Sequence, residues 1–141
     1  MKDIIAQASI SIDATPDEVW DALTNPDLIR RYMFGTTVKT SWAAGDPITW
    51  KGEWKGKPYE DRGKILRVDR GRRIEYTHFS PLMGKPDVPE SYHTVTIELV
   101  RDGSDTLVTL SQDNNETDEA RQHSEDNWRT ILEGLKKVVE E

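Results

Sequence analysis

The spacing of apolar residues changes twice along the chain, and each change marks a different kind of element. Near the N-terminus, the β-branched residues between Ile4 and Ile12 favour a strand. From Thr36 to Asn114, apolar and polar residues alternate with period two between turn signals, which predicts about six further strands. Because strands that follow one another through short turns pair antiparallel, this region predicts an antiparallel sheet.

Two short helices are predicted directly after the first strand. Thr15 suits the N-cap of the first helix, Pro16 suits its first position, and Glu18 completes a capping box. Asn25 followed by Pro26 repeats the combination of a cap and a proline. We therefore expect a second helix from about Pro26 to Tyr32.

The C-terminal segment has a helical period. Its apolar stripe, at i, i+3, i+4 and i+7 spacing, consists of Trp128, Ile131, Leu132, Leu135, Val138 and Val139. Thr117 is suited to the N-cap, and acidic residues follow it in the first turn. The pattern predicts a helix from Asp118 to Glu140, roughly 34 Å long.

One long segment has no period of its own. The stretch SPLMGKPDVPES, from Ser80 to Ser91, contains three prolines and a glycine, so we interpret it as a loop. Proline stiffens such a loop and glycine lets it bend.

Two tryptophans four residues apart, Trp50 and Trp54, lie between turn signals in a segment that is poor in helix formers. We therefore place both in a strand, facing the same side as Ile48 and Gly52. A glycine between two large rings either permits a bend in the sheet or leaves room for another group.

Length and charge narrow the function classes. The chain has 141 residues, which we expect to form a single domain over residues 1–141. Its net charge of −7 argues against nucleic-acid binding, since phosphate neutralisation requires basic surfaces. No segment is apolar for long enough to be a signal peptide or a membrane span, so we expect a cytoplasmic protein.

The order of elements predicts the fold class. Strands grouped together, with helices near the two ends of the sequence, indicate an α+β protein. The long C-terminal helix is the element large enough to cover the apolar face of the sheet. We expect a curved antiparallel sheet wrapped around that helix, with the two short helices after the first strand.

Several segments resemble the SRPBCC superfamily, which has the START or Bet v 1-like helix-grip fold. Within it, the chain is similar to proteins related to the C-terminal domain of the activator of the 90-kDa heat-shock-chaperone ATPase. The matching segments include IDATPDEVWDALTNPDLIRRYM (Ile12 to Met33), RVDRGRRIEYTHF (Arg67 to Phe79), HTVTIEL (His93 to Leu99), TLVTLSQDN (Thr106 to Asn114) and NWRTILEGLKKVVE (Asn127 to Glu140).

The chain departs from the family pattern at two places. Tyr32 and Met33 stand where the family often has tryptophan, and Asn127 stands where it often has glycine. The resemblance places both positions close to an internal cavity, which implies a pocket of different shape.

The candidate binding residues are those that we expect around this cavity. Alternation puts Tyr76 and His78 on the concave face with Ile74, and puts His93 on one face with Val95. The predicted lining is Met33, Phe34, Trp50, Trp54, Tyr76, His78, His93, Gln112, Asn127, Trp128 and Leu132. A filled core, with tyrosine and histidine satisfied by their neighbours, is the alternative. For Asn127, a boundary position facing solvent is a further alternative.

Neither a metal nor a cofactor is predicted. The three histidines match no metal-ligand spacing, and no carboxylate is paired with them in the sequence. No catalytic constellation is visible either, so no residue is assigned a catalytic role. The resemblance makes Tyr76 and His78 the first acid–base candidates if the protein is an enzyme.

Three functions follow as hypotheses. The first is binding of a small hydrophobic, aromatic or lipid-like molecule between the sheet and the C-terminal helix. The second, implied by the resemblance, is stimulation of a heat-shock-chaperone ATPase; it ranks lower because no second clamping domain is visible. The third is a cyclase-like or hydrolase-like enzyme acting on a ligand in the cavity. A homodimer is also considered, since exposed edge strands support such pairing.

Overall fold

The structure, a computed structural model, describes residues 4–141, apart from the side chains of Trp54 and Met83. Within this range the strands are β1 (Ala6–Ile12), β2 (Thr37–Thr40), β3 (Pro47–Trp54), β4 (Lys57–Asp69), β5 (Arg73–His78), β6 (His93–Asp102) and β7 (Asp105–Gln112). The α-helices are α1 (Pro16–Thr24), α2 (Pro26–Tyr32) and α3 (Asp118–Val139). The strands form one antiparallel sheet in the order β1-β7-β6-β5-β4-β3-β2.

The predicted order of elements is confirmed. Six strands, β2 to β7, lie in the region where alternation indicated about six. The first strand begins at Ala6 rather than Ile4, and α3 ends at Val139, one residue before the predicted end. The sequence therefore located each of these elements to within about two residues, the usual uncertainty of such boundaries.

Caps hold the two short helices in place. The Thr15 hydroxyl accepts a hydrogen bond from the Glu18 backbone N–H at 3.2 Å, and the Glu18 carboxylate accepts one from the Thr15 N–H at 3.1 Å. The Asn25 side chain accepts from the Asp27 N–H at 3.0 Å, at the start of α2. Each such cap stabilises its helix by about 1 kcal/mol.

The C-terminal half of α3 is packed against the core. Its apolar stripe buries Ile131, Leu132 and Leu135, which are between 1% and 6% exposed. Each fully buried side chain of this size contributes roughly 1.5–3 kcal/mol through the hydrophobic effect. The helix begins at the predicted cap, where the Thr117 hydroxyl accepts from the Ala120 N–H at 3.0 Å. The stripe thus fixes the position of this half of the helix over the sheet.

The N-terminal half of α3 is different in character. Residues 118–127 contain no apolar side chain larger than alanine, although they extend the helix by about 15 Å. This half crosses the sheet without filling the space beneath it.

In residues 4–141, no helix combines the length and the apolar character that crossing a membrane demands.

Strand β4 changes partner along its length, and its pairing with β5 shifts register between Ile65 and Arg67. Its first part, up to Lys64, pairs with β3, whereas the part from Ile65 pairs with β5. Between these parts stands Gly63, where an added Cβ would lie 1.7 Å from the carbonyl oxygen of Thr77. Only a residue without a side chain lets the two strands approach so closely.

The segment predicted as a loop contains two short 3-10 turns, at Pro81–Met83 and Pro89–Ser91. Gly84 ends the first turn with a positive φ of 72°. At its two ends, Phe79 and Tyr92 stack with ring centroids 5.2 Å apart. The loop is therefore closed at its base by an aromatic contact that its lack of periodicity did not reveal.

We expect Gly63→Ala to destabilise the protein strongly, because the new methyl group would collide with the backbone at Thr77. Overpacking of this kind costs about 1–3 kcal/mol where neighbours can move, and backbone moves less readily than side chains. Urea denaturation followed by circular dichroism measures the loss.

The matched control is Lys64→Ala, which shortens an exposed side chain on the same strand. We expect that change to stay within about 0.5 kcal/mol of the wild type. Equal stability of Gly63→Ala and the wild type would contradict the close approach of β4 and β5.

Candidate functional site

A cavity of about 540 Å³ lies between the sheet and the N-terminal half of α3. Its wall comes from the ends of several strands, from the α2–β2 connection and from the loop after β5. The lining residues are Met33, Phe34, Thr36, Trp50, Tyr59, Asp61, Tyr76, His78, Ser80, Leu82, His93, Gln112, His123, Ser124, Asn127, Trp128 and Ile131.

Most of the residues that the sequence placed around a cavity meet here. Those that line the cavity are Met33, Phe34, Trp50, Tyr76, His78, His93, Gln112, Asn127 and Trp128. Asn127 is exposed at the rim, so both of its predicted positions hold in part. The Trp54 side chain lies outside the described part of the chain.

Leu132 does not line the main cavity, which corrects its predicted place. It is 2% exposed and lies in the apolar core, beside a narrow space of about 40 Å³. The physical reason is its position on α3: Leu132 follows Trp128 by one turn and so points into the filled half of the interior.

Sequence reasoning missed several residues of the wall. These are Thr36, Tyr59, Asp61, Ser80, Leu82, His123, Ser124 and Ile131. For Tyr59 and Asp61 a signal was present, because they alternate with exposed residues along β4. Their partners were not visible in the sequence, since each contact joins residues that are distant along the chain.

Tyr59 fills the space that the glycine between the two tryptophan positions leaves free. Gly52 pairs with Tyr59 across β3 and β4, and an added Cβ would lie 2.7 Å from the Tyr59 hydroxyl oxygen. That hydroxyl also shares a hydrogen bond of 2.7 Å with the hydroxyl of Thr36. Gly52 therefore serves to let a tyrosine cross the strand and form part of the cavity wall.

Aromatic rings form the floor of the cavity. The Trp50 ring centroid lies 5.2 Å from that of Tyr76 and 5.0 Å from that of His78, the latter in an edge-to-face arrangement. Such contacts contribute about 0.5–1.5 kcal/mol beyond the burial of area. Burial raises the pKa of the Tyr76 hydroxyl, which therefore stays protonated at neutral pH.

A carboxylate stands behind one histidine of the wall. The His78 Nε2 atom lies 2.9 Å from the Asp61 Oδ2 atom. The other oxygen, Oδ1, is buried and makes no hydrogen bond with any described residue. Unsatisfied buried acceptors cost about 1–3 kcal/mol, so this carboxylate is held there at an energetic cost. The pair could not be predicted from the sequence, because Asp61 and His78 lie on different strands.

The second histidine is held by the backbone. His93 Nδ1 lies 2.8 Å from the carbonyl oxygen of Asp113, to which it donates. Burial lowers the pKa of His93, and the hydrogen bond to Asp113 only partly opposes this effect. The His93 imidazole is therefore neutral at physiological pH.

The amide of Gln112 joins the sheet to α3. Its Oε1 atom accepts a hydrogen bond of 2.6 Å from the indole nitrogen of Trp128. This contact orients the tryptophan at the boundary between the filled and the hollow halves of the interior.

A metal centre is not apparent in the described residues. Within residues 4–141, no three His, Asp or Glu side chains are grouped closely enough to hold an ion. The carboxylate–histidine pair is consistent with a role in hydrogen bonding or proton transfer.

A curved antiparallel sheet that grips a long C-terminal helix is the Bet v 1-like helix-grip fold, as the resemblance implied. The family model described as "Activator of Hsp90 ATPase homolog 1-like protein" matches residues 13–140. The chain belongs to this family. A comparison with proteins of curated function found no significant match.

Solved structures agree with this assignment. The solution structure of ChR145 from Cytophaga hutchinsonii is 54% identical, with a TM-score of 0.87 over 99% of this chain and 96% of that one. The Aha1 dimer from Colwellia psychrerythraea is 19% identical, with a TM-score of 0.73 over 96% and 95% of the two chains. Ara h 8.0201 is 13% identical, with a TM-score of 0.75 over 96% of each chain. The last two show the fold alone.

We expect His93 to make the free energy of unfolding depend on pH. Between the unfolded-state pKa of about 6.5 and the lower folded-state pKa, only the unfolded chain takes up the proton. Stability contributed by the neutral ring is therefore complete above about pH 6.5 and is lost on acidification through the folded-state pKa. Urea titrations at several pH values measure this loss of stability.

In His93→Gln, whose amide can still donate to the Asp113 carbonyl, we expect a smaller loss of stability over the same interval. Gln122→Ala, which shortens an exposed side chain on α3 and removes no titratable group, should keep the wild-type dependence. If the free energies of unfolding of His93→Gln and the wild type change equally with pH, burial of His93 has no such effect.

Proposed function

We propose that the protein binds a small hydrophobic or aromatic molecule in the cavity between the sheet and α3. The supporting observation is the cavity itself: its volume of about 540 Å³ falls within the range of about 300–1,000 Å³ that is typical of small-molecule sites. A filled core, the alternative interpretation of these residues, would leave no space of this size.

The chemistry of the wall supports a ligand with an apolar body. Trp50, Tyr76 and Trp128 present ring surfaces, and Ile131 adds an aliphatic one. Polar side chains, among them Thr36, His78 and Gln112, also line the wall. In small-molecule pockets, apolar contact supplies affinity and well-placed polar groups fix the orientation of the ligand.

The rim of the cavity supports a route of entry. Phe34 and Leu82 are 68% and 61% exposed, although both line the cavity. Phe34 follows α2 with a positive φ of 56°, a conformation that is uncommon for a bulky residue. We interpret these two apolar side chains as the two sides of an entrance formed by the α2–β2 connection and the 80–91 loop.

An enzyme acting on a cavity ligand is the second candidate, favoured by one observation. Asp61 bound to His78 is an arrangement that can orient an imidazole for proton transfer. Among the described residues, no hydroxyl group forms a hydrogen bond with His78 or Asp61. Binding therefore explains the whole cavity, whereas catalysis would use only one side of it.

Two macromolecular partners belong to the proposal as hypotheses. The family name refers to an activator of the Hsp90 ATPase, which suggests a chaperone partner. One similar structure is called a dimer, which suggests a homodimer. Within residues 4–141, no particular surface supports either hypothesis, so we base the tests on the cavity.

We expect the neutral apolar dye N-phenyl-1-naphthylamine to bind with an increase in its fluorescence. Asn127→Trp should weaken this binding by about tenfold or more, because an indole at the rim is driven by the hydrophobic effect into the cavity. Fluorescence titration gives the two dissociation constants.

The matched control is Glu133→Trp, which places the same ring on an exposed position of α3 outside the cavity. It should bind the dye as the wild type does. If the two tryptophan variants bind equally well, the dye is not in this cavity. If no apolar compound binds or shifts the melting temperature, the proposed function is wrong.

A further inference from the structure

The two histidines of the cavity wall are neighbours in the sheet. His78 and His93 are directly opposite each other on β5 and β6. Side chains in such cross-strand pairs start from Cβ atoms about 4.5–5.5 Å apart and extend on the same face. Both side chains line the cavity. The two imidazole rings therefore form one continuous polar patch.

The protein fixes the hydrogen position on each ring. A carboxylate oxygen only accepts hydrogen bonds, so the His78 nitrogen that contacts Asp61, Nε2, carries the hydrogen in the neutral ring. A carbonyl oxygen also only accepts, so Nδ1 of His93 carries the hydrogen toward Asp113. In the neutral rings, the remaining nitrogens, Nδ1 of His78 and Nε2 of His93, are thus acceptors with lone pairs.

These two acceptors have no partner within the described part of the protein. The hydrogen bonds that His78 and His93 form with described residues use the opposite nitrogen of each ring. Neither free nitrogen is among the atoms that are buried without a partner, so both are accessible. A ligand that covers them must supply donors, because burying an acceptor without a donor costs about as much as a hydrogen bond contributes.

We propose that the cavity selects apolar, ring-containing molecules that carry two neighbouring hydroxyl groups, which donate to His78 Nδ1 and His93 Nε2. This inference rests on the proposed binding function and specifies its ligand class. Asp61 is then a positioning residue, since it acts on the ligand by fixing the hydrogen on His78.

Hydroxyl groups fit these acceptors better than an ammonium group or a metal ion does. An ammonium group would have to lose its water in a cavity with aromatic walls, where the Asp61 carboxylate has one oxygen bound to His78 and the other buried, and this loss is costly. A metal ion would need further ligands, and the described residues offer no third one in reach. A neutral hydroxyl group satisfies each nitrogen without a net charge.

The test compares three ligands that share one ring system. These are 2,3-dihydroxynaphthalene, 2,3-dimethoxynaphthalene, which cannot donate, and 2-naphthylmethylamine, which is cationic. By calorimetry at pH 7.5, we expect the diol to bind about 30-fold more tightly than the diether, the combined effect of two ordinary hydrogen bonds. The cationic amine should also bind more weakly than the diol.

The variant Asp61→Asn tests the positioning role of Asp61 while keeping the shape of its side chain. An asparagine amide can donate to Nε2 of His78, which permits the opposite tautomer and turns Nδ1 into a donor. We expect the preference for the diol over the diether to fall from about 30-fold to about fivefold or less, because one acceptor remains and the new donor can also bind an ether oxygen. Asp102→Asn, the same chemical change at an exposed site away from the cavity, should keep the full preference.

An independent measurement does not depend on any variant. Long-range ¹H–¹⁵N correlation spectra report which imidazole nitrogen carries the hydrogen. We expect the Nε2–H form for His78 and the Nδ1–H form for His93.

Three results would overturn the inference: the opposite tautomer at either histidine, equal affinity for the diol and the diether, or tighter binding of the cationic amine. Equal affinities would leave the proposed function standing, since both compounds still bind. Failure of all three compounds to bind would remove both proposals.

Discussion

The apolar stripe of α3 covers only the C-terminal half of the helix. The cavity exists because the N-terminal half has no large apolar side chains to fill the space beneath it. Ile131 and Leu135 anchor the helix to the concave face of the sheet, where the hydrophobic effect closes the core. The first ten residues of the helix have no large apolar side chain to insert, yet they are carried across the sheet by the rigid helix. Space is left beneath them, and that space is the cavity.

The shape of this space is set by two glycines in the sheet. At Gly63, the backbone of β4 approaches that of β5 so closely that any side chain would collide. At Gly52, the absent side chain leaves room for Tyr59, which turns toward Thr36 and completes the wall. The close approach of β4 and β5 and the place of Tyr59 in the wall thus depend on positions that have no side chain of their own.

The polar side of the cavity is ordered, although it lies among aromatic rings. Each histidine has one nitrogen bound to an acceptor of the protein, so the protons do not move freely between the two nitrogens. Trp50 holds the His78 ring by an edge contact, and the indole of Trp128 is oriented by Gln112. These contacts restrict the hydrogen-bonding geometry that a bound molecule would meet, which is the condition for selective rather than general apolar binding.

The sequence by itself determined the elements, their order and the faces that they bury. Periodicity and caps located α1, α2 and α3, and alternation identified Trp50, Tyr76 and His78 as inward-facing, because these are local properties of the chain. The tertiary structure alone decided which inward-facing residues meet. Asp61 reaches His78 because the neighbouring residues Arg62 and Phe79 pair with each other. Leu132 lies in the filled half of the interior, one turn beyond Trp128 on α3. Contacts between distant segments depend on register and curvature, and a single sequence carries no local signal for either.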